Sequence, residues 1–289
     1  MTRETQTLEP QNLTMNDIII KKIEARKRGY LNEPELILQG FRDETNEIEG
    51  YHGRELLELL QNAVDELGAA TNRHVCIELS GNILRFSNNG SVFSQDGITS
   101  LMYSHLSPKH NDQTYIGNKG TGFRSVLNWA NGVRIYSGDL SIEFNPVFAE
   151  ELLNELLKDE NIKNYQIRHP DLKVATLVAP QIIPQLFQKA YDTVIELDVK
   201  EAMLDDVQAQ INKIDARTLL FLDELERLTI IQNEEKIVFD KTTTVKTEEQ
   251  RLVSITTYVN DDITDFDEWC RFSPKMTACI SLPMAEEMY

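Results

Sequence analysis

Cysteine is scarce in this sequence, and what there is does not form pairs. Cys76, Cys270 and Cys279 are odd in number, far apart and without a CxxC spacing. That excludes a disulfide framework and a cysteine-built zinc site, and it suits a reducing compartment. Positive charge is also short, with 29 Lys and Arg against 47 Asp and Glu for a formal charge of -18. Such a balance repels nucleic-acid phosphates and anionic lipid, so nonspecific polyanion binding is not expected. No apolar run approaches the length of a membrane span, and Met1-Thr2-Arg3-Glu4-Thr5-Gln6 lacks the apolar core of a secretion signal. The expected setting is the cytoplasm, without a membrane partner. Only Trp129 and Trp269 represent tryptophan, and both read as core or interface residues. What remains is ordinary for a folded protein: 289 residues, 41% hydrophobic and 26% charged, enough for one large domain or two average ones.

Along the chain, residues from about Asn12 to Arg28 predict an N-terminal helix whose basic cluster, Lys21, Lys22, Arg26, Lys27 and Arg28, reads as a solvated face. A second helix begins near Pro34, and a third runs from about Gly53 to Leu67. Strands are expected at His74 to Leu79 and Ile83 to Phe86, joined by the tight turn Ser80-Gly81-Asn82. From Ser87 to Gly122 turn chemistry dominates, and helical spacing resumes at Phe123, Val126, Leu127 and Ala130. Further strands are expected at 133–136, 141–144, 174–178 and 193–199. Beyond about Lys200 a helical stretch around Leu219-Leu220-Phe221-Leu222 precedes strands near 228–232, 236–239 and 252–258. The pattern is α/β, more closely α+β, with 1–200 as a first domain and 201–289 as the start of a second. The closing Ile280-Ser281-Leu282-Pro283-Met284 reads as a strand cut short, so a larger protein is expected.

On the third helix Glu58, Asn62 and Asp65 fall within an arc of roughly 60°. Spacing alone favours the wet face of an ordinary amphipathic helix. The functional alternative is that Asn62 offers a neutral oxygen to Mg2+ while Glu58, one turn away, deprotonates an attacking water. Gly117-Asn118-Lys119-Gly120-Thr121-Gly122-Phe123 precedes a helix, so its backbone N–H groups can receive a phosphate. It is neither a Walker A loop nor a dinucleotide fingerprint. His105 and His110 lack neighbouring ligands for a metal, and His52 is too close to the third helix to be a separate phospho-acceptor.

Read in order, Glu58-Leu59-Leu60-Gln61-Asn62-Ala63-Val64-Asp65, Asn88-Asn89-Gly90 and Ile116-Gly117-Asn118-Lys119-Gly120-Thr121-Gly122-Phe123 resemble the motifs of the GHKL ATPase superfamily. The wording is most similar to the sacsin-like ATP-binding domain, and further similarity at 133–138, 192–197 and 219–222 extends it over most of the chain. The resemblance implies a Bergerat-type two-layer sandwich, a mixed and mostly antiparallel sheet covered by helices on one face. It implies ATP and Mg2+ as ligands, Glu58 as general base, Asn62 as metal ligand and Asp65 as a structural or ribose-side partner. Asn88, Asn89 and Gly90 would form the adenine turn, Thr193 would bind the base, and Gly117, Gly120, Thr121, Gly122 and Phe123 would form the phosphate hinge. Lys109, within a lid from about Ser104 to Gly117, and Lys119 would meet phosphate charge. The sequence departs from the family at Asn88, where the superfamily has an aspartate. A carboxamide still accepts a bond from an amino group, without the charge that strengthens it. The implied activity is slow ATP hydrolysis driving a conformational switch, in chaperone-like work or bacterial defence. Partners would be a second copy in a nucleotide-dependent dimer, or downstream domains. The alternative is a nucleotide-binding or degenerate scaffold without turnover.

Overall fold

The structure, a computed structural model, describes residues 14–103, 122–185, 190–247, 249–272 and 280–283. Its helices are α1 (Met15–Asn32), α2 (Glu35–Gly50), α3 (Glu55–Glu66), α4 (Gln95–Met102), α5 (Val126–Trp129), α6 (Pro146–Leu156), α7 (Glu160–Arg168) and α8 (Leu204–Ile211). Its strands are β1 (His74–Ser80), β2 (Ile83–Asn88), β3 (Ala130–Ser137), β4 (Leu140–Phe144), β5 (Gln181–Ile182) and β6 (Thr193–Val199). They continue with β7 (Arg227–Gln232), β8 (Glu235–Val245), β9 (Gln250–Val259), β10 (Asp262–Phe272) and β11 (Ile280–Pro283).

All of them join one 11-stranded sheet in the order β11-β10-β9-β8-β7-β1-β2-β6-β3-β4-β5. Among the described residues only β1 and β7 run parallel, and every other pairing is antiparallel. The hairpins β7–β8 and β9–β10 close through Asn233-Glu234 and Asn260-Asp261, whose φ values of 53°, 66°, 50° and 72° are those of the left-handed turn that matches strand twist. The mixed α/β architecture read from the sequence is the one observed. The expected boundary near residue 200 falls between β6 and α8, and strands from both sides of it belong to this one sheet.

Pleating sends alternate residues to opposite faces. Val75, Ile77, Leu84, Phe86, Val133, Ile135, Ile195, Leu197, Leu228 and Ile230 turn to the helix side and form one core with Leu56, Leu59, Leu60 and Val64 of α3. A smaller cluster joins Tyr30 and Ile37 to α6 and α7. The opposite face carries a charged row. Across β1, β2, β6, β3 and β4, the register lines up Glu78, Arg85, Glu196, Arg134 and Glu143. Arg85 lies 3.8 Å from Glu78 and 2.8 Å from Glu196, and Arg134 lies 2.7 Å from Glu196 and 3.6 Å from Glu143.

Several elements differ from the sequence reading: α6, α7 and β10 fall where it expects no element. The strand expected at 174–178 is a 3-10 turn over Thr176–Val178. The buried Glu44 carboxylate accepts the Thr176 and Leu177 amides at 2.7 and 3.0 Å, removing them from any ladder. Within the loop expected from Ser87 to Gly122 lies α4, capped by Ser94, whose hydroxyl accepts the Gly97 N–H at 3.0 Å. In the basic cluster of α1, Lys27 pairs with Glu155 at 2.9 Å, and the Arg26 guanidinium lies 4.1 Å from the centre of the Tyr103 ring. No helix among the described residues is long and apolar enough to cross a membrane.

Candidate functional site

The site assembles on α3. Its apolar side packs on the sheet, yet Glu58, expected on a solvated face, is only 6% exposed. Asn62 and Asp65 follow along the same side and are half-buried. What covers Glu58 is Gly122: a Cβ built there would stand 2.2 Å from Oε2 and 2.8 Å from the carboxyl carbon, so a methyl group would push the carboxylate aside. Burial pushes the Glu58 carboxyl above the usual carboxylate range, and the Arg54 guanidinium, 3.9 Å from Oε1, partly offsets this.

Gly122 opens a buried 3-10 turn, Gly122–Ser125. Ser125 Oγ donates to the Gly122 carbonyl at 2.6 Å. Arg124 pins the turn: its Nε lies 3.0 Å from Glu47 Oε2 of α2, and Nη2 donates to the Ser100 and Leu101 carbonyls of α4 at 3.2 and 2.9 Å. A buried guanidinium held by a carboxylate and two carbonyls is a rigid joint, and it fixes where Gly122 meets Glu58.

At the other end of α3, Gly90 has φ +123° and sits so close to the helix that a Cβ would lie 2.2 Å from the Glu66 carbonyl oxygen. Its N–H donates to Asp192 Oδ2 at 3.0 Å, and Ser91 N donates to the Glu66 carbonyl at 3.0 Å. Asn88 and Thr193 are register partners on β2 and β6, and Thr193 is in turn the partner of Ser137 on β3. This row turns to the helix side of the sheet. Asn88 and Thr193 are each 4% exposed, and Asn88 Nδ2 donates to the Asn89 carbonyl at 2.9 Å. Asn89 continues the ladder, its N–H donating to the His74 carbonyl, and pleat alternation turns it toward the opposite face. Thus Glu58 meets Gly122 and Phe123 lies in the same turn, while Asn88, Gly90 and Thr193 gather at the far end. Lys109, Gly117, Lys119, Gly120 and Thr121, with His105 and His110, lie outside the described residues.

Several contributors gave no local signal. Glu55, fully buried, accepts Gln210 Nε2 of α8 at 2.7 Å and Asn128 Nδ2 at 3.2 Å. Gln210 Oε1 accepts the Leu56 N–H at 3.2 Å, capping α3 where Arg54 provides no side-chain cap. Asp206 accepts both Gln210 Nε2 at 3.2 Å and the buried Trp129 indole N–H at 2.8 Å.

No protein-family model matches the chain, and no curated protein matches it in sequence.

Proposed function

We propose that the chain is an ATP-binding, slowly hydrolysing GHKL-type module, most similar in its motifs to the sacsin-like domain. The single observation that supports this best is the contact of Glu58 with Gly122. It joins the carboxylate of the first motif to the end of the glycine motif, two segments far apart in sequence. A buried carboxyl with a raised pKa is a suitable base for a water held against a terminal phosphoryl group. Asn88 and Thr193, side by side and buried, suit the polar edge of a nucleobase.

The donors fit magnesium: Asn62 is a half-buried amide one turn from Glu58, and a hard cation bound mainly by phosphates and water asks for one such oxygen. When bound, the ion would neutralise charge on the transferred phosphoryl group. With nucleotide bound, Glu58 would orient the water and take its proton, Asn62 would supply a ligand oxygen, and the turn from Gly122 would contribute backbone amides to the phosphoryl end of the site. The protein would work in the cytoplasm, with nucleotide state changing a surface offered to a second copy or to downstream domains. A second reading, a nucleotide-binding scaffold without turnover, is favoured by Asn88, which removes a charge-assisted bond to the base.

The deciding experiment is magnesium-dependent ATP hydrolysis by the full chain, Glu58→Ala and Asn62→Ala, with calorimetric ATP binding alongside. Turnover lost in Glu58→Ala with binding retained supports the ATPase. Binding without turnover in the unaltered chain supports the scaffold, and no binding at millimolar ATP removes both.

A further inference from the structure

Ser137 was not a candidate on sequence grounds, yet it is only 1% exposed and lies at the base end of the site. Its Oγ accepts the Phe93 N–H at 2.9 Å and lies 2.7 Å from Thr193 Oγ1. Two hydroxyl protons share that contact, and only one of them can lie between the oxygens. If Thr193 donated to Ser137, the Ser137 proton would be stranded in the more enclosed position, at the cost of an unmet buried donor. If Ser137 donates, the surplus proton belongs to Thr193. With Ser137 as donor, the more enclosed of the two at 1% against 4% exposed, the polarity runs from the Phe93 amide to Ser137 and from Ser137 to Thr193, and it leaves the Thr193 proton for a ligand acceptor.

We infer that Ser137 is a positioning residue of the base pocket, holding Thr193 as a hydrogen-bond donor toward an acceptor nitrogen of the bound base. This rests on the nucleotide-binding reading of the site. It narrows the ligand to a base that sets a ring acceptor beside an amino group: Thr193 meets the acceptor while the Asn88 carboxamide oxygen takes the amino proton. A 6-oxo purine reverses that pattern at its Watson–Crick edge and is disfavoured even though Asn88 carries no charge.

The test is calorimetric binding of ATP, GTP, 1-deaza-ATP and 7-deaza-ATP to the full chain, Ser137→Ala, Ser137→Cys and Thr193→Val. The two deaza analogues remove, one at a time, the ring acceptors that flank the amino group. ATP is expected to bind the unaltered chain more tightly than GTP. Ser137→Ala should weaken ATP about tenfold, the scale of one hydrogen bond, and the penalty should vanish with one deaza analogue. Thr193→Val should weaken ATP similarly, and adding Ser137→Ala to it should cost nothing more. Ser137→Cys keeps the shape with a weak donor and should fall on the same side, which covers a poorly folding alanine variant. Ser137 variants that bind ATP like the unaltered chain, or that lose ATP and both deaza analogues equally, overturn the role of Ser137 and leave the nucleotide site standing. An unaltered chain that binds none of the nucleotides overturns the underlying reading and the inference together.

Discussion

Glu58 and Gly122 touch with no space for a methyl group between them, Oε2 lying 2.2 Å from where a Cβ would stand. The turn carrying Gly122 is pinned by Arg124, so the carboxylate is the part that must yield. Gly122→Ala should therefore lower kcat for ATP hydrolysis about 100-fold by displacing the base roughly 1 Å. ATP affinity, set mainly at the other end of α3, should change much less. Steady-state kinetics with parallel calorimetry checks this, and an undiminished kcat would separate the contact from the chemistry.

Burial holds the Glu58 carboxyl above its ordinary value of 4.5, with Arg54 pulling the other way. A general base acts deprotonated, so kcat should rise with pH along a limb centred above 4.5. Arg54→Met removes the opposing charge and should move that limb higher still. A pH–rate profile of both proteins measures it; a limb displaced to lower pH would contradict the assignment.

Gly90 combines φ +123° with backbone 2.2 Å from the Cβ position, and the obstacle is the Glu66 carbonyl rather than a flexible side chain. Gly90→Ala should destabilise the chain by about 2 kcal/mol or more, and base binding should fall with it. Urea denaturation gives the first quantity and ATP calorimetry the second.

His74 is half-buried, its Nε2 2.9 Å from Thr229 Oγ1, and burial lowers its pKa from 6.5 to about 4. The unfolded chain binds the extra proton between those values, so this residue's contribution is full above about pH 6.5 and is lost as pH falls toward 4. His74→Gln should flatten stability over that window relative to the unaltered chain, by about 1–2 kcal/mol after allowing for partial exposure. Chemical denaturation of both proteins across the window checks the difference.

Gln210 satisfies a helix-start amide and a buried carboxylate at once. Gln210→Leu strips both partners and should cost about 2–3 kcal/mol. A fragment ending at residue 200 would lack this cap as well as β7 beside β1, and circular dichroism should show it folding poorly.

How much of this was legible in the sequence follows from distance along the chain. The face carrying Glu58, Asn62 and Asp65 and the first hairpin are local patterns, and the early strands fall where expected. The Glu58 burial was not legible, because an amphipathic pattern cannot say that a turn sixty-odd residues later will cover its polar side. Arg124 with Glu47, Gln210 with Glu55, and Ser137 with Thr193 are tertiary pairs of unremarkable residue types. The α4 helix was hidden by Gly97, and β10 by its run of aspartates and the register shift between Ile263 and Asp265. Both are held by neighbours rather than by propensity.

The row from Glu78 to Glu143 has a consequence for solubility. Each arginine is flanked by two glutamates, so the two cations are fully paired within the row, and Arg85 and Glu78 at one end keep the largest exposure to water. Another flat sheet settling on this surface would have to dehydrate the whole file at once and would gain no apolar contact there in return. Charge along this row thereby guards the middle of the sheet against self-stacking.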